Sequence, residues 1–493
     1  MTEPTAEIVE PKIAGNYSAR KQNRWVHHSL EKDAPAGDVA EEKTVPPHVR
    51  EDVDEIHKTV SRFHVSPAQL YSTDSGKLYH AGSICIVMVG PPARGKTNLS
   101  ISLCRYLRWL GVRANLFHLG DYRRSKTTTV PFDFFDPKPE SEEAKEVRQQ
   151  LIKLAMQDVL NFFQNDMGQV AIYDAVNGVS SERRELAETM QKANVKVVFI
   201  ESLIDDKELL ESNIADAAQS PDYLNWDEQE AIEDYKKRIA AVEHSYDEMN
   251  EEELTYIKFV NFGEKLLVNK SKHDFLTTKI IFYLMNSKIK KGSIYFARCS
   301  NNKLDFKSDP PLDAKGRDYA KKLSSTMVNH FKSRGYDSLP SDLFVWTSVR
   351  LRTTQLAQVF KDMGLNVKHR PEMTQMNPGD ADGLTDEQLK TVFPEDYKKH
   401  LLDPYHHRYP RAECYHDLAL KLEPLIMEIE RMTNDVLVIA DETIIRVFYG
   451  YLMASSSSDI PFLEFPQSEI IKITYNAYMN QATRFKIEGL EGV

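Results

Sequence analysis

Gly90, Pro91, Pro92, Ala93, Arg94, Gly95, Lys96 and Thr97 spell a complete G-x-x-x-x-G-K-[ST] loop, with Asn98 next in line. The motif has a mechanism only where a strand delivers it and a helix leaves it, so it constrains the surrounding fold more than any other stretch. Both neighbours are present. Residues 84–89 are an unbroken apolar run suited to a buried parallel strand. Behind the loop, Leu99, Leu103, Tyr106, Leu107 and Leu110 repeat at helical spacing, and Gly111 stands where a helix would stop. Strand, loop and helix N-terminus would make a cradle of backbone N–H groups for phosphate, aided by the helix dipole. Lys96 would reach the β- and γ-phosphates of a nucleotide, and Thr97 would offer its hydroxyl to Mg²⁺. The alternative is a chance match in an ordinary loop, which the flanking elements argue against.

A chain of 493 residues has room for two or three domains with full cores. Its 41% hydrophobic and 28% charged residues are an ordinary soluble composition. A net charge of −11 argues against general nucleic-acid binding, which needs a basic face. No apolar run approaches the ~20 residues of a membrane span, and the polar, acidic start of the chain does not read as a signal peptide. Cys85, Cys104, Cys299 and Cys414 are widely spaced, with no C-x-x-C pair. That spacing fits a reducing cytoplasm and neither a disulfide framework nor a zinc site.

Residues 1–50 are rich in Glu, Lys, Pro and Ala and are expected to be a disordered tail. Residues 51–80 are mixed and are expected to lie against the domain that follows. From 81 to about 285, strands at 115–119, 170–174 and 195–202 and a long amphipathic helix over 141–165 alternate. That order predicts a doubly wound, mostly parallel sheet. Residues 287–292 are basic and poor in apolar side chains, and read as a linker. A second α/β pattern starts at 293–297 and continues through strands at 343–347 and 436–440. The expected domains are 51–286 and 292–493.

Asp174 ends the strand at 170–174. At the carboxyl edge of a parallel sheet beside a phosphate loop, such an aspartate holds Mg²⁺ or takes a proton from an attacking hydroxyl; in isolation it would read as a helix cap or turn residue. The run Gly120-Asp121-Tyr122-Arg123-Arg124 follows the second strand. Paired guanidinium groups suit a second phosphate, with a solvated charged turn as the alternative. Arg148 and Arg238 fall on predicted helices, where a surface charge is the simpler reading.

GPPARGKT, GDYRR, EEAKEVR, YDAVN, FIES, SPDY, KRI and LVN occur in this order. Together they resemble the kinase half of the bifunctional 6-phosphofructo-2-kinase/fructose-2,6-bisphosphatase family. IYFARC, VWTS, LRTTQLA, HRYPRAECYHDLALKLEPLIMEIER and VLVIADE resemble that family's histidine-phosphatase half. The likeness covers roughly residues 60–480 and is that of a fungal-type member with a degenerate second half. It implies a P-loop kinase domain followed by a histidine-phosphatase, phosphoglycerate mutase-like α/β domain. It further implies a cytoplasmic enzyme of fructose 2,6-bisphosphate metabolism that moves the γ-phosphoryl of ATP to the 2-hydroxyl of fructose 6-phosphate, and it leaves a homodimer open. Gly90 to Asn98 would bind ATP, Thr97 and Asp174 would hold Mg²⁺, Lys96 and Asp174 would be catalytic, and Arg123, Arg148 and Arg238 would bind the sugar phosphate.

The chain departs from the family pattern at several of these places. The family's Asp-Ala-Thr-Asn reads Asp174-Ala175-Val176-Asn177, which removes a hydroxyl from the sugar side. An expected Arg falls at Ser181, a Lys at Ala218, a Tyr at Val242 and a Cys at Ile204. In the second half, Arg-His-Gly-Glu becomes Arg298-Cys299-Ser300-Asn301, so Cys299 stands at the nucleophile position. The acid position falls at Gln375, and the second His at Asp441. Arg298 and Arg352 remain. A histidine phosphatase needs a neutral His, a carboxylic acid and a second His, so this half is expected to be silent. A Cys299 thiolate activated by the two arginines is the alternative. The leading expectation is a monofunctional 6-phosphofructo-2-kinase; the rival is a non-catalytic nucleotide- or sugar-phosphate-binding regulator. His406 and His407 read as structural or surface groups.

Overall fold

The computed structural model describes residues 67–70, 82–126, 130–131, 133–218, 220–223, 226–270, 274–299, 306–475 and 480–490, with the backbone of β1 (Glu7–Ile8). The rest of the 1–50 tail, most of 51–80, and Ser300 and Asn301 lie outside the described residues. Two sheets organise the chain. The first contains β2 (Ile84–Val89), β3 (Ala114–His118), β4 (Val170–Asp174), β5 (Lys196–Leu203), β6 (Tyr256–Val260) and β7 (Lys265–Asn269) in the spatial order β3-β4-β2-β5-β6-β7. Strands β2 to β6 run parallel, and β7 turns back antiparallel on β6 at the edge. Every residue of β2 and β4 is buried, as the apolar runs required, because helices cover both faces.

Those helices are α1 (Lys96–Trp109), α2 (Leu119–Lys126), α3 (Glu142–Gln164), α4 (Ser180–Lys192), α5 (Lys207–Ala218), α6 (Glu228–Ser245) and α7 (Phe275–Asn286). Helix α1 stops where expected. Gly111 takes φ +93°, and the N–H groups of Gly111 and Val112 fold back on the carbonyls of Arg108 and Leu107 at 3.1 and 3.0 Å. Helix α3 starts at a Ser141 cap that accepts from Ala144 N–H, with Glu142 and Glu143 at the positive end of its dipole.

The second sheet holds β8 (Ile294–Arg298), β9 (Phe344–Thr347), β10 (Asn366–His369), β11 (Val436–Ala440), β12 (Glu469–Thr474) and β13 (Gln481–Lys486). Its order is β1-β13-β12-β8-β11-β9-β10, with β8 to β11 parallel and the other three antiparallel. Around it lie α8 (Ala314–Ser333), α9 (Leu351–Asp362), α10 (Asp386–Val392), α11 (Pro394–Leu402), α12 (Tyr415–Arg431) and α13 (Glu442–Leu452).

Strand boundaries differ from the sequence expectation by a residue or so. The Arg123-Arg124 run lies on α2, which starts directly after β3, so the alternative of a solvated turn does not hold. Residues 287–292 connect α7 to β8 and are packed against α12. Lys288 N–H donates to the Glu430 carbonyl at 3.2 Å, and the Lys290 ammonium reaches the carbonyls of Ile429 and Met432. One apolar core runs from β2 and α1 through α7 to α12, α13 and β11, so the two sheets share a packed interior. Ala68 joins it, donating its N–H to the Trp109 carbonyl at 2.8 Å while its own carbonyl bonds His416 at 2.9 Å.

Candidate active site

The loop after β2 opens at the carboxyl edge of the first sheet, with β4 on one side and β5 on the other. Its two glycines are required by space as well as by backbone. Gly90 takes φ +136°, and a Cβ there would lie 2.6 Å from the Ser202 carbonyl oxygen. Gly95 takes φ +72°, and a Cβ would fall 2.2 Å from the ring of Phe262. The loop is braced from outside: Ser202 Oγ donates to the Arg94 carbonyl at 2.6 Å and Asn213 to the Ala93 carbonyl at 2.9 Å. Arg94 turns its guanidinium away to Glu243 and the Pro92 carbonyl, tying the loop to α6. Gly95 caps α1, and no side chain caps its first turn, nor does that turn contain an acidic residue. The leading amides of α1 and the positive end of its dipole therefore face an anion unopposed.

Lys96 is buried and donates to the neutral carbonyl of Pro91 at 2.6 Å. Burial pushes its pKa down to about 8, with Asp174 pulling the other way. A buried ammonium with a carbonyl for a partner is a site that an anion would stabilise. Asp174 is 1% exposed and its Oδ2 accepts from Thr97 Oγ1 at 2.7 Å and from His118 Nδ1 at 3.0 Å. The register explains this meeting: His118 and Asp174 are direct partners on β3 and β4. Burial would raise the carboxyl's pKa, yet His118, Lys96 and Thr97 together hold it below the ordinary range. For His118, burial acts downward, Asp174 outweighs it, and the net shift is upward.

The arginines gather nearby. Asp222 Oδ2 accepts from Arg123 at 2.5 Å and from Arg238 at 3.4 Å, and its Oδ1 accepts from Arg124 at 3.1 Å. Arg123 and Arg238 also stack on Phe135, at 5.6 and 4.1 Å from the ring centre. Burial opposes ionisation of Asp222, but the arginines prevail and bring its pKa to about 2. Arg148 joins through the adjoining residue, donating to the Phe134 carbonyl at 3.0 Å.

At the second sheet's carboxyl edge, Arg298, Cys299, Arg352 and Asp441 also converge. Ala440 and Arg298 are register partners, which sets Cys299 and Asp441 side by side. The Cys299 thiol donates to Asp441 Oδ1 at 3.4 Å, and Arg352 pairs with the same oxygen at 2.7 Å. Arg298 pairs with Glu442 at 3.2 Å. Burial first, then Asp441, raise the Cys299 pKa well above the ordinary thiol range, and the two arginines do not reverse this. The thiol thus donates to a carboxylate, an arrangement that disfavours the thiolate form. Gln375 offers only an amide, whose Oε1 is buried without a hydrogen-bond partner among the described residues.

Two family models match the chain: 6-phosphofructo-2-kinase over residues 71–291 and histidine phosphatase superfamily (branch 1) over residues 299–488. A Saccharomyces cerevisiae protein named "Putative 6-phosphofructo-2-kinase/fructose-2,6-bisphosphatase" is 40% identical over 96% of this chain and 95% of its own. The chain belongs to the 6-phosphofructo-2-kinase/fructose-2,6-bisphosphatase family. Human 6-phosphofructo-2-kinase/fructose-2,6-bisphosphatase 4 is 35% identical over 80% of this chain and 82% of its own. The alpha-ribazole phosphatase of Shigella flexneri covers 40% of this chain and 99% of its own, at 19% identity and a TM-score of 0.33.

Within this member of the 6-phosphofructo-2-kinase/fructose-2,6-bisphosphatase family, the altered positions fare differently. Val176 is partly exposed beside the loop, whose Gly90 N–H it accepts through its carbonyl at 3.0 Å. Val242 is 1% exposed, and Ala218 and Ile204 are also buried. Val242 belongs to the buried face of α6, one turn after Arg238. Sequence reasoning missed His118, Phe262 and Asp222 as parts of the site. Only Asp222 carried a signal, within Ser220-Pro221-Asp222-Tyr223.

Proposed function

We propose that the first domain is an ATP- and Mg²⁺-dependent sugar-phosphate kinase, with fructose 6-phosphate phosphorylated at its 2-hydroxyl, and that the second domain is catalytically silent. The carrying observation is the convergence of a buried Lys96, an uncapped α1 N-terminus and the Thr97–Asp174 oxygen pair on one sheet edge. This donor set fits Mg·ATP: amides and Lys96 for phosphate oxygens, Thr97 and Asp174 for the cation. When bound, Mg²⁺ would neutralise charge that builds on the transferred group. His118 orients Asp174. Arg123, Arg148 and Arg238 are the groups for the sugar's phosphate, where guanidinium binds an oxyanion in bidentate fashion.

In the silent domain, the chain's own carboxylates hold both arginines that a phosphate would need. The reading places the protein in the cytoplasm, consistent with four free thiols. Among the described residues, no helix is long and apolar enough to cross a membrane. The reading also includes a homodimer joined along β7, an edge strand with Leu267 and Val268 exposed.

A non-catalytic regulator is the second reading, favoured by the hydrocarbon of Val176 where the family has a hydroxyl. One experiment separates them. Purified protein is incubated with Mg·ATP and fructose 6-phosphate, fructose 2,6-bisphosphate is assayed, and ATP affinity is measured by calorimetry for the wild type and Lys96→Ala. Turnover with ATP binding lost in the variant supports the kinase. ATP binding without turnover supports the regulator, and equal affinity in both proteins defeats the assignment of the loop.

A further inference from the structure

We propose that Asp222 is the positioning residue of the sugar-phosphate site, the carboxylate that holds Arg123, Arg124 and Arg238 as one preassembled receptor for a phosphomonoester. This rests on the proposed reading of Arg123 and Arg238 and adds Asp222 and Arg124 to it. Three guanidinium groups brought together without an anion repel one another. Asp222 is the one described carboxylate that bonds all three, using both oxygens. The other partners serve single arginines: Asp234 takes Arg238 at 2.9 Å, and Asp121 takes Arg124.

An anchored carboxylate organises a site, whereas a mobile one would merely compete with the substrate. Asp222 is anchored. Its 3₁₀ turn, Pro221–Tyr223, is closed by Tyr223 N–H on the Ser220 carbonyl at 2.9 Å, and Ser220 and Tyr223 are both buried. Tyr223 lends its hydroxyl to Asp234 at 2.7 Å and its ring to Arg238 at 5.0 Å. Arg238 is thereby held near both Tyr223 and Phe135, with Asp234 on its Nε and Asp222 on its Nη1. Arg123 spends only Nη2 on Asp222 among the described residues, and its remaining N–H groups suit the oxygens of a phosphate.

The test compares wild type, Asp222→Asn and Asp222→Glu, with fructose 6-phosphate and orthophosphate as ligands. Trp226, half-exposed and edge-on to Tyr223 at 5.5 Å, provides a fluorescence signal for binding. Asp222→Asn should weaken fructose 6-phosphate binding and raise its KM roughly tenfold or more. The kcat at saturation and the ATP affinity should stay near wild type, and Asp222→Glu should recover part of the loss. Unchanged or tighter sugar-phosphate binding in Asp222→Asn would overturn the inference, because a competing anion would behave that way. If Asp222→Asn does not fold, Asp222→Glu decides: it must weaken sugar phosphate but not ATP, and wild-type affinity for both overturns the inference. Wild-type protein that binds fructose 6-phosphate without turning it over defeats the kinase reading alone. Wild-type protein that binds no sugar phosphate defeats this inference.

Discussion

The Asp441 carboxylate stands within hydrogen-bond reach of both Cys299 and Arg352. The expected outcome is no phosphate release from fructose 2,6-bisphosphate by the wild type and none by Cys299→Ser. General acid catalysis alone is worth ~10²–10⁴-fold, and here the acid and the nucleophile are both replaced. Asp441→Asn should release Arg352 and give orthophosphate binding visible by calorimetry, still without turnover. Wild-type turnover lost in Cys299→Ser would mean a working cysteine phosphatase. The same scale carries a pH prediction. Asp222 has a folded pKa of about 2 against an ordinary value of 3.8. Because the folded value is the lower one, its stabilisation is present above pH ~4 and is lost as the pH falls toward ~2, an effect of about 2 kcal/mol. Acid unfolding followed by circular dichroism should show that segment of the pH dependence in wild type and not in Asp222→Asn.

Elements decide which substitutions can reach the site. Val242 sits on the buried face of α6, where a tyrosine would have to displace its neighbours. Val242→Tyr should overpack the core and cost ~1–3 kcal/mol in a denaturant melt. Val176→Thr, at a partly exposed position, should be tolerated. At the opposite edge of the sheet, Val268→Lys should shift a dimer toward monomer in sedimentation if β7 is the joining strand, because an edge lysine blocks strand pairing. The elements themselves were largely legible: apolar runs located β2, β4 and β11, and Gly111 located the end of α1. The helix that carries the arginine run was not legible, because Gly120 and charged residues imitate a turn. Its helicity comes from docking on α3, where Tyr122 donates to Asp158 at 2.9 Å.

The whole molecule is joined through α1, the helix that starts at Lys96. Arg105 pairs with Glu430 of α12 at 3.0 Å, Tyr451 of α13 donates to the same oxygen at 2.8 Å, and Tyr106 donates to Glu423 at 3.0 Å. Glu430 is 3% exposed, and Lys290, from the segment that connects α7 to β8, lies 3.9 Å from it. Burial lowers the Lys290 pKa to about 8. Glu430→Gln would leave Arg105 and Lys290 buried without their counter-charge. It should destabilise the protein by ~3–5 kcal/mol, read as a lowered midpoint for both domains in calorimetry. Separate transitions, with only one shifted, would show that the domains unfold independently. The phosphate loop with its strand and helix, the two-part α/β order and the family likeness could all be read from the amino-acid sequence. These are local patterns or ordered motifs, and each is carried by neighbouring residues. That His118 braces Asp174, that Asp222 collects three arginines, that Val242 is buried and that Glu430 fastens one domain to the other emerges only in the folded chain. Those contacts join residues 16 to 325 positions apart, and strand register, burial and charge balance in the folded chain select them.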